Sequence, residues 1–485
     1  MATTAAAATP SPAPPSPPPP LKVLIVGGGI AGPALAYWLS QLAVPGVTTS
    51  ITLVERSSAM RATGQQVDLR AQGIPLMRKM GIEAAVRASR VREPGTQLVD
   101  THGRIKAFFP AVESPADGSG QNKDPRQGVT SEYEIMRGDL VRILYGLTAG
   151  RANVAHLYGE TVESLVQEQG QVRARFGSDG RSELFDLVVG ADGTGSRTRR
   201  LMLGPDAPDP RHRLGGYIAY YSVAPATHDS DRFTGCLLPG PTPRIIGTRK
   251  DCAELTRVYM IAPAADDDPA VDAAYRANDS TNRNLAQLRT AWADLYEGGG
   301  WECGRFVEAL RHAPEADDFY CTPFEEVRLP EGDWSRGQIV LLGDAAHCKT
   351  AGGIGCTWAL VGAYVLAGEI ATLLAAQQQT SLPPPPPSSL DYAEAVEQGA
   401  QNYERVFRPI ATAHHSNGSP WAKLKSLMIP SSAWGIWALQ LVMGVVAYFH
   451  IDQATSVDDE TVDWQLPDYP ALGGGEGGER LQARS

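Results

Sequence analysis

The feature that most limits the folds open to this chain is a strand, a glycine turn and a helix in immediate succession. Leu21-Lys22-Val23-Leu24-Ile25-Val26 is a short apolar run of β-type residues, suited to a strand buried on both faces. Gly27-Gly28-Gly29-Ile30-Ala31-Gly32 follows directly, then an apolar helical stretch through Ala34, Leu35, Ala36, Trp38 and Leu39. In this GxGxxG arrangement Gly27 permits the tight turn, Gly29 lets the backbone approach a pyrophosphate, and Gly32 lets the helix pack close to the strand. The helix N-terminus would then offer N–H groups and positive dipole to the phosphate. A second strand, Ser50-Ile51-Thr52-Leu53-Val54, ends at Glu55. Its carboxylate arrives about twenty residues beyond the glycines, where such folds bind a ribose hydroxyl. The pattern predicts dinucleotide binding; a glycine-rich turn in some other α/β domain would leave Glu55 unexplained.

Two later segments repeat the strand-then-turn signal. Leu184-Phe185-Asp186-Leu187-Val188-Val189 runs into Gly190-Ala191-Asp192-Gly193, with Ser196, Arg197, Arg199 and Arg200 opening a helix. Alone, this could be any strand-to-helix turn. Gln338-Ile339-Val340-Leu341-Leu342 runs into Gly343-Asp344-Ala345-Ala346-His347, followed by Gly352, Gly353, Gly355 and a long apolar helix from Trp358 to Leu374. Asp344 falls at a strand's C-terminal end, where ligands of open α/β sheets gather, and can accept hydrogen bonds from polyol hydroxyls. The glycines would let backbone N–H groups approach a ring carbonyl or a developing negative charge.

Composition narrows the setting. With 485 residues the chain is long enough for two domains plus tails, and 43% hydrophobic with 20% charged residues is ordinary for a soluble enzyme. A net charge of −11 argues against a nucleic-acid partner. The six cysteines, at 236, 252, 303, 321, 348 and 356, form no CxxC pair, which suits reduced thiols in an intracellular, cytoplasmic protein better than disulfides or zinc. No metal-ligand constellation is present; His414-His415 has no partners at ligand spacing. Residues 1–20 lack the basic start and apolar core of a signal peptide and read as a disordered tail.

Taken together, Gly27–Gly32 with Glu55, Gly190-Ala191-Asp192-Gly193 and Gly343-Asp344-Ala345-Ala346-His347 resemble the class A flavoprotein monooxygenases, the para-hydroxybenzoate hydroxylase family. Within that family the chain is most similar to the tetracycline-inactivating branch and the fungal natural-product monooxygenases. Gly64-Gln65-Gln66-Val67-Asp68-Leu69-Arg70, Glu134-Ile135-Met136-Arg137-Gly138-Asp139-Leu140, Ala359–Leu366, and Tyr403-Glu404 with Arg408-Pro409 extend the resemblance over about residues 21–410. It implies that Gly27, Gly29 and Gly32 carry the FAD pyrophosphate and Glu55 the adenosine ribose. Asp68 and Arg137 would line the flavin, Asp344 would hold the ribityl chain or pyrophosphate, and Gly353 and Gly355 would approach the isoalloxazine. Asp192 falls in a segment linked to FAD and NADPH, and Arg61 sits where the tetracycline branch meets NADPH. One departure is the loop Cys348-Lys349-Thr350-Ala351-Gly352-Gly353, which lacks the family's proline and is one residue short.

The expected fold is α/β: a Rossmann-like FAD-binding domain with an inserted, mostly antiparallel β-sheet substrate domain and a C-terminal helical segment. The FAD-binding part is expected from 21–90, 128–205 and 330–377, and the substrate part from 91–127 and 206–329. A Pro-rich linker (378–389), C-terminal helices (390–450) and a mostly disordered tail (451–485) complete the chain. Along Leu214 to Val223, alternation puts Tyr217, Ala219 and Tyr221 on one face and Ile218 and Tyr220 on the other. Tyr217 and Tyr221 are therefore candidates to face a substrate, or else fill a sheet's core. Arg213, Arg244 and Arg249 either contact an acidic or enolic substrate or are solvated, and His347 either moves protons beside a flavin or packs structurally. Residues 433–449 are nearly all apolar and read as a helix closing the substrate domain or as a membrane anchor. The expected activity is an NADPH- or NADH-using FAD monooxygenase acting with O2 on a small molecule, in secondary metabolism. Its rivals are an FAD oxidase or dehydrogenase, an epoxidase, a Baeyer–Villiger-type or cyclising flavoenzyme, and a non-catalytic flavin-binding protein.

Overall fold

The computed structural model describes residues 19–60, 64–91, 93–110, 133–240, 244–262, 273, 275, 285–350, 353–379, 391–413, 430–449 and 464–473. Leu21–Val26 is a central strand of a six-stranded sheet and pairs in parallel with Thr49–Glu55 on one side and Leu187–Gly190 on the other. Val154–Tyr158 extends the first side, and Ile339–Leu341 the second, with Ser335–Arg336 antiparallel at the edge. Val23, Leu24, Ile25, Val188, Val189, Val340 and Leu341 are fully buried, as uninterrupted apolar runs in a sheet covered on both faces must be. Because the chain builds one side of the sheet and then returns to the other, its direction of winding reverses at the central strand. The carboxyl end of that strand is where such sheets open a crevice.

The helix Ala31–Leu39 is buried along all nine residues, since it lies between the sheet and further helices. Trp38 meets Tyr364 of the helix Gly355–Gln379 edge-on at 4.9 Å between ring centroids. That longer helix is apolar enough to cross a membrane, but Leu360, Val361, Tyr364, Leu366 and Ile370 are fully buried inside the protein.

A second sheet has seven strands in the order Tyr320–Val327, Arg211–Val223, Thr256–Ala262, Arg244–Arg249, Phe233–Leu238, Gly95–Val99, Ile105–Pro110. All neighbours are antiparallel except Phe233–Leu238 with Gly95–Val99. One face packs Tyr217, Tyr221, Val258 and Met260 against the helices Leu285–Tyr296 and Cys303–His312 in a core of its own. Strand register aligns Leu98, Gly235, Gly247, Tyr259, Tyr220 and Tyr320 as a row across the opposite face. A two-stranded ladder, Gln66–Asp68 with Glu134–Met136, lies between the large sheets in sequence and carries Asp68.

The C-terminal end departs from expectation. Residues 464–473, expected within a disordered tail, dock on the first layer. Leu472 bridges to Leu42, Ala43 N donates to Ala471 O (2.8 Å), Tyr364 Oη donates to Pro467 O (3.0 Å), and Gln72 donates to Trp464 O. Tyr469 packs where Gly368 has no side chain, which explains a glycine inside a long helix. The glycine- and proline-rich composition hid the anchoring aromatics. Residues 451–463 and 474–485 and most of the Pro-rich linker lie outside the described residues.

Candidate functional site

Gly27 sits at the reversal point. Its N donates to Val54 O (2.8 Å) while Ala191 N donates to Val26 O (2.8 Å), so the ends of three strands are tied together. Its φ of +119° favours glycine, and a Cβ there would collide with Ala191 O; one on Gly32 would collide with Gly27 O. Gly29 differs: a Cβ would meet only Arg137 Nη2, at 3.3 Å. The Glu55 carboxylate accepts from Gly28 N and Ser57 N, both 2.9 Å, and so braces the glycine turn from the neighbouring strand. The helix that begins at Ala31 has no side-chain cap at Ile30 and no acid in its first turn. Its first N–H groups therefore keep their capacity for an anion.

Three acidic and basic residues named from the sequence meet beside this turn. Gly343, at φ +63° and with a Cβ position 3.1 Å from Ala31 Cβ, starts the turn that carries Asp344. A Cβ on Gly355, at the head of the long helix, would lie 3.9 Å from Asp344 Oδ1. Asp344 is open to solvent yet walled by protein; that desolvation raises its carboxyl, and the Arg137 guanidinium works against the rise. The Cys356 thiol, pushed up to about 12 by burial, also feels Asp344, Arg137 and Asp68. A solvent-open carboxylate, a guanidinium and an uncapped helix N-terminus around one crevice are what a diphosphate with polyol hydroxyls requires. The residues present fit FAD.

Asp192 has other work. Ser196 Oγ donates to its Oδ1 (2.5 Å), and Arg197 N, Thr198 N and Thr198 Oγ1 donate to its Oδ2 (2.8, 2.9 and 3.1 Å). Its carboxylate is taken up in capping the helix Arg197–Leu203. Buried Arg199, named from the sequence only as part of a helix start and given no role there, links this loop to the Asp344 turn by donating to Thr194 O (2.5 Å) and Ala345 O (2.8 Å). Buried Thr357 was likewise missed. It accepts from Arg70 N (3.1 Å) and donates to Arg70 O (3.2 Å), which clamps the Asp68 segment to the long helix. No spacing rule marks either residue. Gly353 has φ +68° and open space at its Cβ position, whereas Arg61, Ala351 and Gly352 lie outside the described residues.

The tyrosine candidates are corrected. Tyr221 Oη donates to Phe306 O (3.0 Å), and Tyr217 packs on Tyr275 at 5.1 Å with Arg213 Nη1 donating to its Oη (2.7 Å). Both belong to the face covered by helices. The opposite face of the sheet is also aromatic: Tyr220 with Tyr259 (5.1 Å) and Tyr320 (6.4 Å), and Phe233 with Tyr259 (5.9 Å). Tyr320 is half exposed, yet protein crowded around its hydroxyl raises it, with Arg137 and Asp344 also acting on it, so this face adjoins the glycine crevice. Arg249 lies 4.9 Å over Phe233 on the same side, while Arg244 is spent on Leu295 O and Pro239 O. His347 is buried against Trp334 (5.1 Å) and Phe407 (5.3 Å), a packing position.

The helix Ala433–Tyr448 buries Ile436, Gln440 and Ala447, with Phe109 and Ala107 of the edge strand in the same cluster, and leaves Trp434, Trp437, Leu441, Val445 and Tyr448 exposed. It leans on the sheet beside Leu98 and borders a cavity of about 270 Å³ with Lys106.

Comparison with known proteins agrees with the geometry. Residues 20–285 match the family described as FAD binding domain. The flavin-dependent monooxygenase eupH of a Phoma species is 39% identical over 463 residues, 93% of this chain and 99% of that protein. The FAD-dependent monooxygenase asL4 of Sarocladium schorii is 34% identical over 462 residues, again 93% and 99%. Among solved structures, the tetracycline destructase Tet(51) superposes with a TM-score of 0.64 at 25% identity, over 92% of this chain and 98% of that one.

Proposed function

The chain belongs to the FAD-binding monooxygenases, and from that premise we propose which of its residues hold the cofactor and which meet the substrate. Gly27, Gly29 and Gly32 form the pyrophosphate cradle at the N-terminus of the helix Ala31–Leu39. Glu55 already holds the turn with both oxygens and, with about four acceptor sites on a carboxylate, can also take a ribose hydroxyl. Arg137 faces the cradle and Asp344 accepts from the ribityl chain, while Gly353 and Gly355 leave room for the ring. When bound, FAD takes electrons from NAD(P)H and uses O2 to insert one oxygen atom into the substrate. The protein positions the reactants, excludes water and supplies fixed charge.

The observation that carries this assignment is the meeting of an uncapped helix N-terminus, Arg137 and Asp344 at one reversal point, beneath an aromatic sheet face. That face suits a medium-sized, flat, largely apolar compound of polyketide or terpenoid type, stacked on Tyr220, Tyr259 and Tyr320. Two functional layers follow: the six-stranded sheet with its helices for the cofactor, the seven-stranded sheet for the substrate. The free state of all six cysteines supports an intracellular location, and the helix Ala433–Tyr448 serves first to close the substrate sheet. Denatured protein should release FAD and not FMN, and NAD(P)H oxidation should be coupled to O2 uptake with a product heavier by one oxygen atom. Preferential FMN uptake, or a product that has lost hydrogen without gaining oxygen, would overturn the assignment.

A further inference from the structure

Asp68 and Glu134 face each other as register partners in the ladder Gln66–Asp68 with Glu134–Met136. Partners of this kind hold their Cβ atoms about 5 Å apart. Asp68 Oδ2 accepts from Arg70 Nε (3.2 Å) and Nη2 (2.8 Å), but its buried Oδ1 has no donor among the described residues. Glu134, 8% exposed, reaches toward Asp68, and its Oε1 lies 3.6 Å from Arg249 Nη2. That guanidinium is already ion-paired with Glu93, also 8% exposed. Asp68 has Arg70, while Glu93 and Glu134 divide the single guanidinium of Arg249 between them, so three carboxylates share two cations. Asp251, engaged by Arg257, and the Tyr259 hydroxyl beside Arg249 complete the groups facing this cluster.

Two carboxylates pointed at each other in a desolvated site repel, whereas one proton between them satisfies both. We propose that Glu134 and Asp68 share a single proton and form the proton store of the flavin cleft, with Glu134 holding it and Asp68 handing it on. The reach into the cleft is through Asp68, which acts on the Cys356 thiol together with Arg137 and Asp344. In the transfer, the O–H bond of Glu134 breaks as one forms on Asp68 Oδ1, Asp68 gives its proton to the oxygen of O2 that leaves as water, and solvent reprotonates Glu134. This role rests on the monooxygenase reading, whose net reaction consumes one proton: substrate C–H, O2, NAD(P)H and H⁺ give C–OH, water and NAD(P)⁺. Burial, helped by the nearby Asp68 and Glu93 and opposed by Arg249, pushes the Glu134 carboxyl up to about 8, so the proton is present at neutral pH.

Glu134→Gln keeps the shape and a donor for Asp68 but removes the titratable carboxyl proton. A carboxyl raised in the fold adds stability that is full below its unfolded pKa and lost as pH rises, completely so above about 8. Flavin-free wild type should therefore lose Tm relative to Glu134→Gln with rising pH and then run parallel above about 8. With FAD bound, the alkaline fall in kcat near that pH should vanish in the variant, and kcat itself should drop by about a hundredfold, with KM little changed. In wild type an infrared carboxyl band sensitive to D2O should titrate near pH 8, a reading that does not depend on the variant's folding. Parallel melting curves throughout, or no titrating band, would overturn the shared proton. Normal kcat in a variant that has lost the band would overturn the relay. Failure of either protein to take up FAD would instead count against the cofactor assignment.

Discussion

A methyl group added at Gly29 would project into the opening where the pyrophosphate is placed, and it would touch one protein atom, Arg137 Nη2, at 3.3 Å. That atom ends a flexible side chain and can yield by a few tenths of an ångström. Gly29 is not among the residues with positive φ, so alanine suits its backbone. The flavin-free fold should then be unharmed or gain about 0.4–1 kcal/mol from the stiffer unfolded chain. Binding should suffer, because the methyl must be accommodated between backbone and phosphate in a packed contact. Overpacking of this kind costs about 1–3 kcal/mol, or roughly a 5- to 150-fold weaker Kd. Flavin fluorescence titration of apoprotein gives the affinity, and thermal melting without flavin gives the stability. Gly27→Ala is the control that should fail to fold, since its methyl meets the Ala191 backbone. Unchanged FAD affinity in well-folded Gly29→Ala would show that the diphosphate does not cross this turn.

Asp344→Asn should lower FAD occupancy, measured as bound flavin per chain, yet raise the Tm of flavin-free protein at neutral pH. Its carboxyl is raised by desolvation, so the folded form loses stability as pH rises through that value, and the amide escapes this loss. Arg137→Ala should retain part of the FAD while anaerobic stopped-flow bleaching by NAD(P)H slows. A chain ending before Trp464 should melt earlier and aggregate, read by melting and light scattering, because it uncovers Tyr364, Phe407 and the groove at Gly368.

The strand ends around the candidate cofactor site were legible because parallel strands buried on both faces must be unbroken apolar runs, and three of them end in or run on into glycine. Leu21–Val26, Leu187–Gly190 and Ile339–Leu341 announced their own carboxyl ends, and with them the places of Gly27 and Asp344, as Thr49–Glu55 did that of Glu55. Asp192 accepts from the first N–H groups of a helix, a duty the sequence does not distinguish from ligand binding because both place an aspartate just after a strand. For the tyrosines, alternation sorted Tyr217 and Tyr221 from Tyr220 correctly. Which set meets the cleft depends on the helices Leu285–Tyr296 and Cys303–His312, which cover the other face from far along the chain. The Asp68–Glu134 opposition is a matter of register between segments separated by more than sixty residues. No local pattern encodes it.

The order of the strands also fixes when this protein can become stable. The central strand Leu21–Val26 emerges first, but its sheet gains Ile339–Leu341 only after most of the chain has been made. The seven-stranded sheet waits as well, from Gly95–Val99 until Tyr320–Val327. Pairings so distant in sequence impose a large loop-closure cost before they repay it, so folding should be slow, with apolar strands exposed meanwhile. The docked residues 464–473, which bridge Leu472 to Leu42, arrive later than either sheet. An N-terminal fragment carrying the whole glycine motif would therefore have the residues that recognise a dinucleotide but no finished layer to hold them.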